Sequence, residues 1–280
     1  MAIALALAAA ASWGTADFLA GLASRRFSVP LVLLLVEGGG LVVIVLVAVL
    51  GGASFFDEPR DFLYALGGGL SGVVGLGCFY RALAIGTMSV VAPISAAGVA
   101  LPVVLGIATG NRLSGLTAAG LVAIVAGVVL ASREQHDDDA AAEAGRAAIL
   151  LALLSAVGFG GFFALTDAPA DASVPWTLVV ARGAAVVPVA VVVASTRPAL
   201  PVPRLGVAIA CVGCVDLLAT ALIAIANTKG ELSVVSVLGG MYPVVTVMLA
   251  AAVLHERVRA PQVAGIVLAL GGVALVAAGA

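Results

Sequence analysis

Charge is what this sequence has least of. Of 280 residues only 10% are Asp, Glu, Lys or Arg, against about 25% in an ordinary soluble domain. A chain so poor in charge cannot clothe a water-facing surface. With 63% hydrophobic residues and a mean hydropathy of +1.25, it reads as a multi-pass protein of the cell (plasma) membrane, with the lipid bilayer as its first partner. Histidine is scarce too: His136 and His255 lie far apart, which argues against a histidine-based zinc centre. The three cysteines, Cys78, Cys211 and Cys214, all fall in apolar runs and imply no disulfide framework. Cys211-x-x-Cys214 matches a redox spacing, yet within an apolar helix it reads as two small packing residues. GxxxxGK[ST], GxSxG and HExxH are all missing, which removes direct ATP drive, a nucleophile elbow and a zinc-protease helix. No catalytic residue, metal or other cofactor is assigned, and the reading is non-enzymatic. A net charge of −2 without a basic stripe offers nucleic acid no footprint.

What the chain does have is apolar length. A membrane helix needs about 20 mostly apolar residues, and ten stretches qualify: 2–22, 30–50, 62–84, 88–109, 114–132, 147–167, 174–195, 204–226, 232–253 and 260–279. The opening MAIALALAAAAS resembles a signal-peptide core, but it lacks a basic start and runs on through Trp13 to Leu22, so it reads as an uncleaved first span. Between the fifth and sixth stretches lies SREQHDDDAAAEAGR, read as a solvated linker rather than a cation site.

The two halves resemble each other. MSVVAPISAAG at 88–98 aligns with LSVVSVLGGMY at 232–242, and AGLVAIVAGVVL at 119–130 with AGIVLALGGVAL at 264–275, at an offset of 144–145 residues in both cases. Five spans per copy is odd, so the second copy enters the membrane from the opposite side, an arrangement common in secondary transporters. The organisation expected is all-α: a first five-helix repeat at 1–132, a polar linker at 133–146 and a second, inverted repeat at 147–280, around a central cavity.

Helix breakers recur at matching depth in the two copies. Pro93, Gly98 and Pro102 interrupt the fourth stretch, and Gly239, Gly240 and Pro243 the ninth. Irregular backbone at membrane depth is tolerated only against protein or a wet cavity, and paired interruptions point to a transporter's binding site. Asp17, Glu37, Arg182 and Asp216 lie well inside apolar stretches, where a charge costs about 2.5–3.5 kcal/mol. Glu37 and Arg182 occupy corresponding helices and can form an ion pair. The alternative is that Glu37 or Asp216 exchanges a proton with the medium. Trp13 and Asp17 share a helical face. Arg81, Asp167 and Lys229 sit near span ends, where they can snorkel. Gly68 and Gly72 form a GxxxG that serves packing within one molecule; the protein is read as a monomer, with a dimer left open.

SWGTADFLAGLASRR (12–26), YRALAIGTMSVVAPISA (80–96) and LHERVRAPQVAGIVLALGGVAL (254–275) resemble the EamA-type proteins of the drug/metabolite transporter superfamily, over nearly the whole chain. The first copy departs from the pattern, with Asn111-Arg112 in place of Glu-Arg, so Glu256 reads as a helix-end or loop contact. The resemblance implies a ten-helix basket in which helices one, three, four, six, eight and nine surround the cavity, and a small-molecule substrate such as an amino acid or related metabolite. By that analogy Trp13, Tyr80, Ser95, Gly98, Gly239 and Tyr242 are the substrate-binding candidates, and protons are a candidate second partner. The resemblance also implies both termini in the cytoplasm, whereas the distribution of arginines between the two sides favours the reverse. The weaker alternatives are a non-transporting assembly subunit and an intramembrane enzyme.

Overall fold

The computed structural model describes residues 1–108, 114–131, 139–230, 232–256 and 259–279. Asn111, Arg112 and residues 132–138 of the polar stretch after Ala131 lie outside them. Every regular element among the described residues is helical: α1 (Ala2–Ser24), α2 (Val29–Leu50), α3 (Pro59–Ile85), α4 (Met88–Ala96), a 3-10 turn (Ala97–Val99), α5 (Ala100–Ala108), α6 (Gly115–Ala131), α7 (Asp139–Thr196), α8 (Pro203–Asn227), α9 (Leu232–Gly239), α10 (Tyr242–Val253) and α11 (Ala260–Gly279). Prolines open α2, α3 and α8, where a preset φ helps and the missing N–H has no intrahelical partner to lose. Among the described residues seven helices are long and apolar enough to cross a membrane. Their outer faces remain oily: Val122, Val191 and Met248 are each about two-thirds exposed. This is a multi-pass membrane protein whose surface is meant for lipid.

The 58 residues of α7 would reach roughly 87 Å if straight, far beyond a bilayer core of about 30 Å. Ser173 breaks it, with extended backbone at φ −162° and ψ 99°. Contacts on either side give the direction. A Cβ on Gly86 would meet Ala148 and one on Gly68 would meet Thr166, so the first arm runs antiparallel to α3. Trp176 donates its indole N–H to the Ala53 carbonyl at 2.9 Å, and Arg182 packs on Gly40, so the second arm runs antiparallel to α2. The α2–α3 loop and Ser173 therefore lie at one end of the molecule, and the chain reverses there. The helix also begins at Asp139, inside the stretch expected to be linker, because the alanines from 140 to 144 are strong helix formers.

The fourth and ninth apolar stretches are each broken. The first changes to a 3-10 turn at Ala97–Val99, the second unwinds at Gly240 and Met241. The prolines flank these breaks rather than make them. Pro93 stays inside α4, while Pro102 and Pro243 sit in the first turns of α5 and α10, positions that cost little.

Glycines set how closely the helices approach, as expected where lipid gives no hydrophobic drive between them. Gly39 faces Ala210 and Gly213 faces Val36 where α2 meets α8; Gly120, Gly127, Gly265 and Gly272 join α6 to α11. At the end away from Ser173, Phe79, Leu83, Met88, Val91 and Ile94 form a fully buried block.

Candidate functional site

Between the helices lies a cavity of about 330 Å³. Trp13 and Asp17 reach it from α1, Glu37 from α2, and Gly69, Gly72, Val73 and Leu76 from α3. The first arm of α7 gives Phe159, Phe162 and Phe163, and the second arm Leu178, Ala181, Arg182 and Ala185. Asp216, Thr220 and Ile223 of α8 and Tyr242 of α10 complete the wall. Room arises because α3 offers glycine where neighbours are large: a Cβ on Gly72 would already stand 3.0 Å from the Phe162 ring. Trp13 and Tyr242 meet edge to face, with centroids 6.2 Å apart and planes at 69°, a favoured aromatic geometry.

The polar part of the wall is one linked group. The Arg182 guanidinium donates from Nη1 to Glu37 Oε2 at 3.2 Å and from Nη2 to Asp216 Oδ2. Glu37 and Arg182 are 6% and 8% exposed. Gly40 makes this reachable: a Cβ there would lie 2.5 Å from Nη1 and 2.8 Å from Cζ of Arg182. Arg182 thus has both ends of its fork occupied, which offsets the cost of holding it at membrane depth. Asp17 differs. It lines the same cavity but makes no hydrogen bond or ion pair among the described residues. No set of three His, Cys, Asp or Glu among those residues is placed to hold a metal ion.

Of the residues singled out by sequence, Trp13, Asp17, Glu37, Arg182, Asp216 and Tyr242 come together on this wall. Tyr80, Ser95, Gly98 and Gly239 do not line it. Tyr80 is 3% exposed and packs beside Phe79. Ser95 is fully buried and donates to the Ala152 carbonyl at 3.4 Å. Gly98 lies under the Ala156 carbonyl, and Gly239 sits behind the wall, where a Cβ would come 2.6 Å from Ile223. The break after α4 therefore faces protein, not the cavity, because the first arm of α7 presses onto it: a Cβ on Gly160 would meet the Gly98 carbonyl oxygen at 2.6 Å. Helices two and seven line the cavity in place of four. The residues sequence reasoning missed are the glycines of α3 and the phenylalanines of GFGGFF (158–163), whose density of aromatics in a chain with 5% of them was the available signal.

Arg81, Asp167 and Lys229 are exposed. Glu256 closes the end opposite Ser173. Its carboxylate accepts the backbone N–H groups of Met88 (3.1 Å) and Ser89 (3.0 Å) and the Ser89 hydroxyl (2.9 Å), so it satisfies the start of α4, where the N-cap Thr87 makes no side-chain bond. Arg25 donates to the same carboxylate at 3.3 Å and also to the carbonyls of Leu83 and Gly86. His255, at φ +54°, turns the chain so that Glu256 reaches α4.

No curated protein matches the sequence. Seventeen solved chains match the fold, among them one described only as "Crystal structure of protein": TM-score 0.67 at 18% identity, covering 98% of this chain and 96% of that one. A likeness at that identity speaks to fold alone. The sequence itself carries more: a model of the EamA-like transporter family matches residues 1–133 and again residues 146–278, one match per half, and the chain belongs to that family.

Proposed function

We propose that the protein is a secondary transporter of the plasma membrane that moves a small metabolite, amino acids and related compounds among the candidates, by alternating access. The observation that carries this reading is a cavity among the helices whose wall gathers Trp13, Tyr242 and the Glu37–Arg182–Asp216 group. At the Arg25 end of the molecule lie the buried block of Phe79, Leu83 and Met88 and the Glu256–Arg25 contacts. Phe163, on the cavity wall, is 53% exposed.

The architecture proposed is ten crossings in two inverted five-span copies, 1–132 and 147–280. Two crossings come from α7, split at Ser173; α4 with α5 and α9 with α10 make one each across their breaks. The breaks lie about 144 residues apart, as the repeated segments do. α1 runs toward Gly86, whereas the first arm of α7 starts beside Gly86 and runs away, which supports opposite insertion of the two copies. Trp13 and Tyr242 supply amphipathic contact surface for substrate. Glu37 and Asp216, both held by Arg182, are the groups through which a proton gradient would couple.

Reconstitution into liposomes tests this. A panel of radiolabelled amino acids and other metabolites is offered with and without a pH gradient. The expected result is saturable uptake of at least one compound, lost in Trp13→Ala and Tyr242→Ala variants that keep wild-type thermal unfolding. Full uptake in both variants would place the path elsewhere. Undiminished proton-driven flux in Glu37→Gln and Asp216→Asn would remove both from coupling.

A further inference from the structure

Resting on the transporter reading, and naming its substrate class, we infer that the cavity takes a monovalent organic cation with an aromatic or apolar body. The charge balance of the wall carries the argument. Its ionisable side chains, apart from tyrosine, are Asp17, Glu37 and Asp216 against one guanidinium, that of Arg182. Arg182 spends both arms of its fork on Glu37 and Asp216. A substrate carboxylate would find no cation on this wall without displacing one already in place. Asp17 is the reverse case: it makes no hydrogen bond or ion pair among the described residues, and it faces an empty volume whose wall is mostly apolar outside the Glu37–Arg182–Asp216 group, Thr220 and the Tyr242 hydroxyl. A carboxylate kept at membrane depth without a partner is costly, so it implies a partner that comes and goes.

The rest of the wall fits a cation's body. Asp17 lies one helical turn from Trp13, which meets Tyr242 edge to face, and both rings line the cavity. Aromatic faces attract a cation most strongly where water is excluded. Phe159 and Phe162 extend the surface for an apolar tail. A divalent metal does not suit the place, since the carboxylates among the described residues are not grouped to hold one. The volume, about 330 Å³, is at the small end of the ~300–1,000 Å³ range of ligand pockets, which suits a single aryl amine better than a large drug.

The test uses purified full-length protein in detergent and three probes that share a benzyl group: benzyltrimethylammonium, benzyl alcohol and phenylacetate. Binding is measured by calorimetry. The cation is expected to bind at least ~10-fold more tightly than either other probe, a step of about 1.4 kcal/mol. Asp17→Asn should abolish that preference, and Asp17→Glu, which restores the charge, should recover it. Both variants are checked for wild-type thermal unfolding. Tighter binding of phenylacetate or benzyl alcohol, no binding of the cation, or a cation preference that survives in Asp17→Asn overturns the inference. Flux of the same probe is then followed in liposomes. Cation binding without flux keeps the ligand class and sinks the carrier reading; flux of an anionic metabolite alone keeps the carrier and sinks the ligand class.

Discussion

Arg182→Met takes the one guanidinium from between two carboxylates while keeping a long stem and a good helix former. Glu37, 6% exposed, is then left without its partner. Breaking a buried pair by removing one member costs about 3–5 kcal/mol, most of it the penalty of the charge left behind. The two arms are not equal. The Asp216 side chain is 32% exposed, against 8% for Glu37, so its arm is better screened and closer to the ~0–1 kcal/mol of surface pairs. The expected order of cost is Arg182→Met first, Glu37→Gln next and Asp216→Asn last. Glu37→Gln alone should cost about 1.5–3 kcal/mol, the worth of a hydrogen bond to a charged group. In the Arg182→Met background the same change removes a stranded charge, and its cost should vanish or turn favourable. Reversible unfolding in mixed micelles, run as a double-mutant cycle, measures the difference. A coupling of at least ~1.5 kcal/mol is expected, inside the ~0.5–3 kcal/mol range of residues in direct contact. Additivity within ~0.5 kcal/mol would mean that the pair contributes nothing and that this reading of the wall is wrong.

Gly40→Ala should destabilise the protein nearly as Glu37→Gln does, because a Cβ 2.8 Å from Cζ pushes Arg182 off its carboxylates; an unchanged unfolding midpoint would show that the guanidinium has other room. Adjacent glycines of α11 should respond with opposite signs. Gly271 has nothing within 4 Å of an added Cβ, so Gly271→Ala should be neutral or gain up to ~1 kcal/mol. A Cβ on Gly272 would meet Ile124 N at 2.6 Å, so Gly272→Ala should lose about 1–3 kcal/mol; thermal unfolding compares the two. Glu256→Ala uncaps α4 and frees Arg25, and a cysteine placed at Leu83 in a background without native cysteines should then react faster with an impermeant maleimide. Equal rates would show that Glu256 does not hold that end shut. Reporters fused to the N- and C-termini should fall in the same compartment; opposite compartments would exclude an even number of crossings.

Helix positions were legible because hydrocarbon imposes a crude rule, about 20 apolar residues per crossing, and the punctuation agreed with it: Pro59 and Pro203 stand at the starts of α3 and α8. The reversal at Ser173 was legible as a gap between two apolar runs. The local signal is Ser173 followed by Pro175 in the first turn of the second arm, a helix-start pattern like those of α2, α3 and α8. The buried charges were the most legible part of the site. Each ion at membrane depth needs an account, and Glu37, Arg182 and Asp216 account for one another.

The breaks misled in one half, for an instructive reason. At the 144-residue offset Gly98 aligns with Tyr242 and Gly239 with Ser95, so the two breaks fall at the same depth in the repeat and sequence treats them alike. In the folded chain Gly160 lets the first arm of α7 close over Gly98, whereas the α9–α10 break delivers Tyr242 to the cavity. Whether a broken helix meets a void depends on the side chain that comes to it from a distant segment, and that information is not in the break. The same logic applies to Gly72: it reads as a packing residue of a GxxxG, and an added Cβ would indeed stand 3.0 Å from the Phe162 ring, yet it also lines the cavity, and sequence does not separate the two roles. Here Gly98 is covered by the first arm of α7 while Tyr242 lines the cavity, and under the carrier reading an exchange of those two packings is the motion that alternating access would demand.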